Sequence, residues 1–335
     1  MTTEPTPVLE VRALETCFFT DAGTVGAVDG LTFSIRKGDT LALVGESGCG
    51  KSVTALSILR LVPDPPGRIA GGEIVFEGRD LLRLSSREMR RIRGNAISMV
   101  FQDPMTSLNP VFTIGDQISE AIQTHESVPR RTAWRRSVEL LELVRMPDPH
   151  RRVHDYPHRL SGGMRQRVMM AMAVACGPKI LIADEPTTAL DVTIQAQVLT
   201  LLDRLKREFG MTVLLITHDL GVVAEWANRV VVMYAGRKVE DAPVDEMLTN
   251  PKHPYTRGLI ACVPHLQAVP SAERPPLTEV PGVVPSIVEL GRGGCPFAPR
   301  CAQAMARCRE QMPPPTAVVE GHQAACWLLE EATEA

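Results

Sequence analysis

The sequence predicts an α/β fold: a parallel sheet wrapped by helices, with an antiparallel β subdomain, a helical insertion and a small Cys-rich C-terminal extension. Two observations predict it. Apolar segments of strand length, such as "KILIADEP", "TVLLITHD" and "RVVVMYAG", alternate with helical patterns such as "KSVTALSILRLV" and "TIQAQVLTLLDRLKREFG". After "ACVPHL" the alternation stops, and the proline-rich "VPSAERPPLTEVPGVVPS" leads into a cysteine-rich end.

Taken in order, "VLEVRAL", "LTFSIRKGDTLALVG" and "GEIVFEG" read as strands, the first of them hairpin-like and antiparallel. From about Ser86 to Arg159 only "AISMVFQD" has strand character, and "TIGDQISEAIQTH" and "RRTAWRRSVELLELV" are helical. The chain is thus divided into a core of residues 1–86 and 160–265, a helical subdomain of 87–159, and a linker plus extension of 266–335. No internal repeat is present.

Composition narrows the class. Apolar residues make up 44% of the 335 and the formal charge is −3, so no general polyanion-binding surface is expected. The opening "MTTEPTPVLEVRAL" has no basic stretch before an apolar run, and no window reaches the roughly 18 apolar residues that cross a bilayer. A soluble protein is expected, with any membrane role supplied by a partner. The basic runs "SREMRRIRG" and "PRRTAWRRS" lack an aromatic platform and read as solvated helical faces or a docking rim. The methionines of "VMMAMAVAC" read as core filler rather than a copper site.

"GESGCGKS" lies between the apolar "LALV" and a helical pattern, the context of a phosphate-binding loop. Gly45, Gly48 and Gly50 allow the tight turn. With Ser47 and Cys49 between them, they aim backbone N–H groups at phosphate oxygens, and the helix start adds its dipole. Lys51 is expected on the β/γ-phosphates and the Ser52 hydroxyl on Mg²⁺. Cys49 is a candidate oxidation target, although a small spacer is the plainer reading. Further on, "KILIADEP" ends a buried strand in two acids. Asp184 is placed to hold the Mg²⁺ shell and Glu185 to orient or deprotonate a water. Adjacent buried carboxylates are costly unless a cation or proton compensates them. Gln102 of "VFQDP" and His218 of "LLITHD" end strands and are candidates for sensing Mg²⁺ and the γ-phosphate.

"LSGGMRQRV", Leu160 to Val168, resembles the signature motif of ABC-type ATPases. It stands in order with the phosphate loop, Gln102, "LIADEP", "TTALD" and His218. The resemblance implies a RecA-like P-loop NTPase core that binds and hydrolyses ATP with Mg²⁺. It also implies a head-to-tail dimer with a second ABC ATPase, in which Ser161, Gly162 and Gly163 bind the γ-phosphate held by the partner's loop. Asp191 is then the residue that communicates across the dimer, and Phe18, or Phe19, the ring that stacks on adenine.

"VFQDPMTSLNPVFTIGDQISE", "NPKHPYTRGLI" and "CPFAPRC" further resemble the ATPase subunits of oligopeptide, dipeptide and nickel permeases, from Val8 to Trp327. This implies a peptide importer with two transmembrane permease subunits, fed by an extracellular solute-binding protein, at the cytoplasmic face of the membrane. Nickel or another small solute is the alternative cargo. The helical subdomain would then carry the membrane contact, hinged at Gln102. A soluble ABC ATPase is disfavoured because the chain has one nucleotide module and no long coiled-coil insert. A GTPase is disfavoured because N-K-x-D is missing.

Cys295, Cys301, Cys308 and Cys326 are separated by five, six and seventeen residues, unlike the close pairs of structural zinc sites. Four thiolates in an irregular loop suit a [4Fe–4S] cluster, and the permease resemblance points the same way; zinc and metal-free thiols stay open. Arg300, Arg307 and Arg309 are expected to offset the cluster's charge.

Overall fold

A computed structural model describes residues 6–21, 23–103, 107–188, 190–263, 279–282 and 293–330. Most of the proline-rich linker lies outside them. Strands β1 (Pro7–Thr20), β2 (Gly23–Arg36) and β3 (Thr40–Val44) precede helix α1 (Lys51–Ile58), then β4 (Gly67–Phe76) and β5 (Arg79–Asp80). Helix α2 (Ser86–Ile92) and β6 (Ile97–Val100) lead into α3 (Ile114–His125), α4 (Arg130–Leu143), α5 (Pro149–Arg152) and α6 (Gly162–Val174). Next come β7 (Ile180–Asp184), α7 (Val192–Phe209), β8 (Thr212–Ile216), α8 (Leu220–Trp226) and the hairpin β9 (Arg229–Tyr234) and β10 (Arg237–Pro243). The chain closes with α9 (Val244–Thr249), α10 (Pro254–Ala261), α11 (Ala306–Glu310), β11 (Thr316–Val319) and β12 (His322–Ala324).

Contacts divide the chain into two compact units. One, which contains Asp80–Ile216 together with Met1–Val8 and Ile35–Thr40, holds the acidic strand. Here β6, β7 and β8 run parallel in that order, and every residue of β7 and β8 is buried. Strands shielded on both faces tolerate no polar alternation, which is why they read as continuous apolar runs. Helix α7 buries Val198, Leu201, Leu202 and Leu205, an i, i+3, i+4, i+7 stripe. The helical stretch of 87–159 lies wholly in this unit. Its α3 and α4 are joined by a buried Ser119–Ser137 hydroxyl contact of 2.9 Å. Arg136 pairs with Glu126 and donates to the Ala175 carbonyl at 3.0 Å. Arg130 pairs with Asp116 at 3.1 Å, so acids within the same unit take up part of this basic run.

The other unit contains Leu9–Ser34, Leu41–Arg79 and Thr217–Ala335. A sheet of order β2-β1-β4-β5, with β1 antiparallel to β4, forms the expected antiparallel subdomain. In its other sheet β3 is parallel to β9, β9 antiparallel to β10, and the C-terminal β12 adds antiparallel to β10 with β11 beyond it. The C-terminal segment has a small cluster of its own, Ala298, Cys308 and Trp327, and also joins the larger core. Phe297 is buried in one cluster with Val44, Val232, Tyr234 and Tyr255, and Cys295 and Cys301 pack against that cluster. Sharing an existing core solves the problem that so short a segment cannot bury enough apolar surface alone. His322 of β12 and Glu240 of β10, both fully buried, contact each other at 2.8 Å. The Glu240 carboxylate also accepts the N–H groups of Lys252 and His253 at 2.6 and 2.9 Å.

His253 caps α10, its Nδ1 accepting the Tyr255 N–H at 3.1 Å. Burial, helped by Arg257, lowers its imidazole pKa to about 3. The unfolded chain therefore binds a proton below pH ~6.5 that the folded one refuses. Stability from this group is complete above that pH and is lost as the pH falls toward 3. Between pH 7 and 5 the loss amounts to about 2 kcal/mol. His253→Asn keeps an oxygen acceptor at the cap and removes the titration. Urea denaturation of the variant should show a pH dependence shallower by that amount; identical dependence in both proteins would remove His253 as its source.

Candidate functional site

The phosphate loop lies in the second unit, where the buried β3 delivers it to α1. Gly45 has φ +149°, and a Cβ there would stand 2.3 Å from the Met233 carbonyl oxygen and 2.8 Å from Cys49 Sγ. At Gly50, φ +101°, a Cβ would meet the Ala27 carbonyl oxygen at 2.3 Å. No other residue fits at either position. Gly50 is also the N-cap of α1 and supplies no side-chain cap to it, which suits a helix start that receives an anion. Lys51 is only 5% exposed. Its ammonium donates to the carbonyls of Gly45 at 2.8 Å and Glu46 at 3.0 Å, which holds the charge against the loop. Ser52 follows in the first turn of α1, and Ser47 and Gly48 are exposed. Burial pushes the Cys49 thiol up despite Lys51 beside it, which favours the small-spacer reading over a reactive thiolate.

The acids lie in the first unit. Asp184 ends β7 opposite Ile216 of β8 and is 4% exposed. Glu185 leaves the strand with φ +45°, a left-handed backbone that costs a non-glycine residue energy and is concentrated at functional sites. Its own N–H donates to the Ile216 carbonyl at 2.9 Å, which anchors that turn. Its carboxylate Oε2 accepts from Gln102 Nε2 at 3.0 Å and from Thr188 Oγ1 at 2.8 Å. Because β6 pairs with β7, the chain leaving Val100 carries Gln102 to the end of the acidic strand. Gln102 and Glu185, each singled out in the sequence for the same site, thus meet directly, a contact the sequence does not specify. Thr188 was not singled out there; its place in "TTALD", three residues after the acid, was the available signal.

In the same unit Ser161 is the N-cap of α6 and accepts the Met164 N–H at 3.4 Å. Ser161 and Gly162 are exposed at that helix start. A Cβ on Gly163 would lie 2.8 Å from Ile194 of α7, so glycine allows the two helices their close approach. Asp191 caps α7 through the Ile194 N–H at 2.9 Å, and Val192 beside it is 84% exposed.

In the phosphate-loop unit, the half-buried Phe18 packs its ring against Gly67 of β4, opposite it in the sheet, while Phe19 is 52% exposed. His218 is exposed after the buried Thr217, and Asp219 caps α8 through the N–H groups of Gly221 and Val222.

The iron–sulfur expectation for the tail cysteines finds no support in the structure. Among the described residues, no three His, Cys, Asp or Glu side chains are placed to hold a metal ion together. Cys308 is buried with Ala298 and Trp327. Burial, reinforced by Cys308 and Cys326, pushes the Cys295 thiol up to about 11, and burial likewise raises Cys301 and Cys326. A metal bound here would have to take these thiols as thiolates. Two of the arginines expected to offset a cluster have other partners. Arg300 pairs with Glu46 at 2.6 Å; Arg307 pairs with Glu330 at 2.7 Å and lies 3.4 Å above the Trp327 ring.

A glycine loop closing on a buried lysine at a helix start, and an acidic strand end with a positioned carboxylate, define a P-loop nucleoside triphosphatase. Residues 28–188 match the ABC transporter family model, and residues 239–308 match that of the oligopeptide/dipeptide transporter C-terminal region. A probable peptide ABC transporter ATP-binding protein of Sinorhizobium fredii is 55% identical over 97% of this chain and 96% of its own. The oligopeptide transport ATP-binding protein OppD of Bacillus subtilis is 52% identical over 97% of this chain and 89% of its own. The solved dimer of the ATP-binding cassette MJ0796 bound to ADP and Pi superposes with TM-score 0.64 at 26% identity, covering 70% of this chain and 98% of that one. The chain belongs to the ATP-binding proteins of ABC transporters, in the oligopeptide/dipeptide family.

Proposed function

We propose that the chain is the ATP-hydrolysing subunit of a peptide importer, working as one half of an ATPase dimer on two transmembrane permease subunits. The observation that carries this reading is Glu185: a carboxylate on a left-handed turn, held by Gln102 and Thr188. Such a fixed base takes a proton from a water attacking the γ-phosphate. The N–H groups of the phosphate loop and Lys51 stabilise the charge on the transferred group. Ser52, Gln102 and Asp184 would hold Mg²⁺, which when bound neutralises phosphate charge. His218 is assigned to the γ-phosphate, and Phe18 to adenine.

Dimerisation rests on Ser161 and Gly162, exposed at a helix start where a partner's triphosphate would be received, and on the exposed Val192 next to Asp191. The solved relative, a dimer, supports this assembly. No helix among the described residues is long and apolar enough to cross a membrane. Attachment to the cytoplasmic face is therefore assigned to the permease subunits, with Phe101, Val111 and Phe112 as exposed apolar groups for docking. The peptide cargo follows the relatives' names. The tail cysteines enter as packed thiols; iron–sulfur or zinc binding would require them to deprotonate.

The test is reconstitution with the two permease subunits and the solute-binding protein, purified anaerobically. Hydrolysis should rise when the binding protein is loaded with peptide. Turnover indifferent to every peptide would refute the cargo. A brown preparation with broad blue absorbance would overturn the thiol reading in favour of iron–sulfur, and colourless protein with stoichiometric zinc would overturn it in favour of zinc.

A further inference from the structure

Within "GESGCGKS" the second residue carries a negative charge. Glu46 lies beside Gly45 at the mouth of a loop whose purpose is to attract polyphosphate. A bare carboxylate there repels the ligand, since like charges a few ångströms apart in a partly desolvated site interact strongly. Its neutralisation comes from far along the chain. Arg300, in the tail between Phe297 and Cys301, forks onto Glu46 through Nη1 at 2.6 Å and Nη2 at 3.0 Å. The pair is bidentate, the strongest geometry an ion pair adopts.

The rest of Arg300 is equally committed. Its Nε donates to the Pro281 carbonyl at 2.8 Å, Nη2 to the Val280 carbonyl at 3.1 Å, and Nη1 also reaches Tyr234 Oη at 3.4 Å. The side chain is 4% exposed. Its guanidinium lies 5.8 and 5.9 Å from the ring centroids of Tyr234 and Phe297. Glu46 is held at its backbone as well: its N–H donates to Tyr255 Oη at 2.9 Å, and its carbonyl accepts from Lys51 Nζ at 3.0 Å. One residue thus joins the loop lysine, through its carbonyl, to the tail arginine, through its carboxylate. All of these groups belong to one compact unit.

We infer that Arg300 is a positioning residue for nucleotide binding: it neutralises Glu46 and fixes its carboxylate outward, so that the phosphate loop presents net positive potential to the triphosphate. The C-terminal extension is thereby part of the nucleotide site although it touches no phosphate. The inference rests on the loop binding ATP, as proposed above.

The experiment is equilibrium binding of ATP, ADP and adenosine to the full chain and to Arg300→Ala, Arg300→Lys and Arg300→Ala/Glu46→Gln. Arg300→Ala should weaken ATP by about tenfold or more, the value of a charge-assisted pair. ADP should weaken less and adenosine hardly at all, because the penalty scales with ligand charge. Arg300→Lys, which keeps the charge without the fork, should fall between wild type and Arg300→Ala. Adding Glu46→Gln to Arg300→Ala should recover most of the ATP affinity, since the uncompensated charge is gone. Equal weakening of all three ligands, or no recovery in the double variant, would show a merely structural role and overturn the inference. Unchanged ATP affinity in Arg300→Ala would overturn it too. Absence of ATP binding in the wild-type chain would instead fail the nucleotide reading itself. Thermal melts of each variant separate loss of fold from loss of affinity.

Discussion

Glu185→Gln should leave ATP binding within about twofold of wild type and lower hydrolysis by about 10²–10⁴-fold, the usual contribution of a positioned base. The substitution is conservative for the fold. The amide oxygen of glutamine can accept both the Gln102 and Thr188 hydrogen bonds that the carboxylate now accepts. The left-handed turn at φ +45° is no harder for glutamine than for glutamate, and its anchor is the backbone bond to Ile216, which involves no side chain. What disappears is the capacity to take a proton. Phosphate release at saturating ATP, measured beside equilibrium binding, separates the two effects. Undiminished turnover would remove Glu185 from the chemistry. The same variant should accumulate as an ATP-bound dimer by size-exclusion chromatography, because hydrolysis no longer releases it.

Lys51→Met has the second large effect: ATP affinity should fall by about 100-fold, with the thermal melt displaced by only a few degrees. Methionine keeps a long apolar stem in a position that is 5% exposed, so packing in the first turn of α1 is largely preserved. The ammonium is lost, and with it the donors to the Gly45 and Glu46 carbonyls and the charge offered to the phosphates. Charge-assisted bonds are worth about 1.5–3 kcal/mol each, and loss of one or two corresponds to the stated factor. Isothermal titration with ATP checks it; affinity within threefold of wild type would contradict the role of Lys51.

Together these two variants divide binding from turnover, and Arg300→Ala adds a third position on the binding side. The pattern across them matters more than any single value. A loss confined to turnover at Glu185, and to affinity at Lys51 and Arg300, is what an ATP-driven subunit requires.

Much of this site was legible in the residues themselves. Glycines at positions 45 and 50 are demanded by positive φ and by backbone 2.3 Å away, and a lysine after the second glycine has few other reasons to be buried. Two acids ending an apolar strand announce a cation or proton site wherever they occur. The α7 stripe of Val198, Leu201, Leu202 and Leu205 gives its helix away by period alone. Local constraints of this kind are written into neighbouring positions, so a sequence exposes them.

The tail is the part for which the sequence expectation found no support. Four cysteines look like a ligand set in one dimension, yet among the described residues no metal-holding group forms, and Phe297 with Cys295 and Cys301 is drawn into the core under β9 and β10. A shared apolar core holds the segment where a metal had been expected to.

The sequence by itself determined the fold class, the phosphate loop, the acidic strand end and the signature at Ser161, because each depends on residues a few positions apart. Only the tertiary structure decided that Thr188 and Gln102 converge on Glu185, that His322 meets Glu240, and that Arg300 closes on Glu46 across more than half the chain. The physical reason is that polar groups leaving water take whatever partner the packed core brings within 3 Å, and that choice follows strand order and burial rather than spacing along the chain.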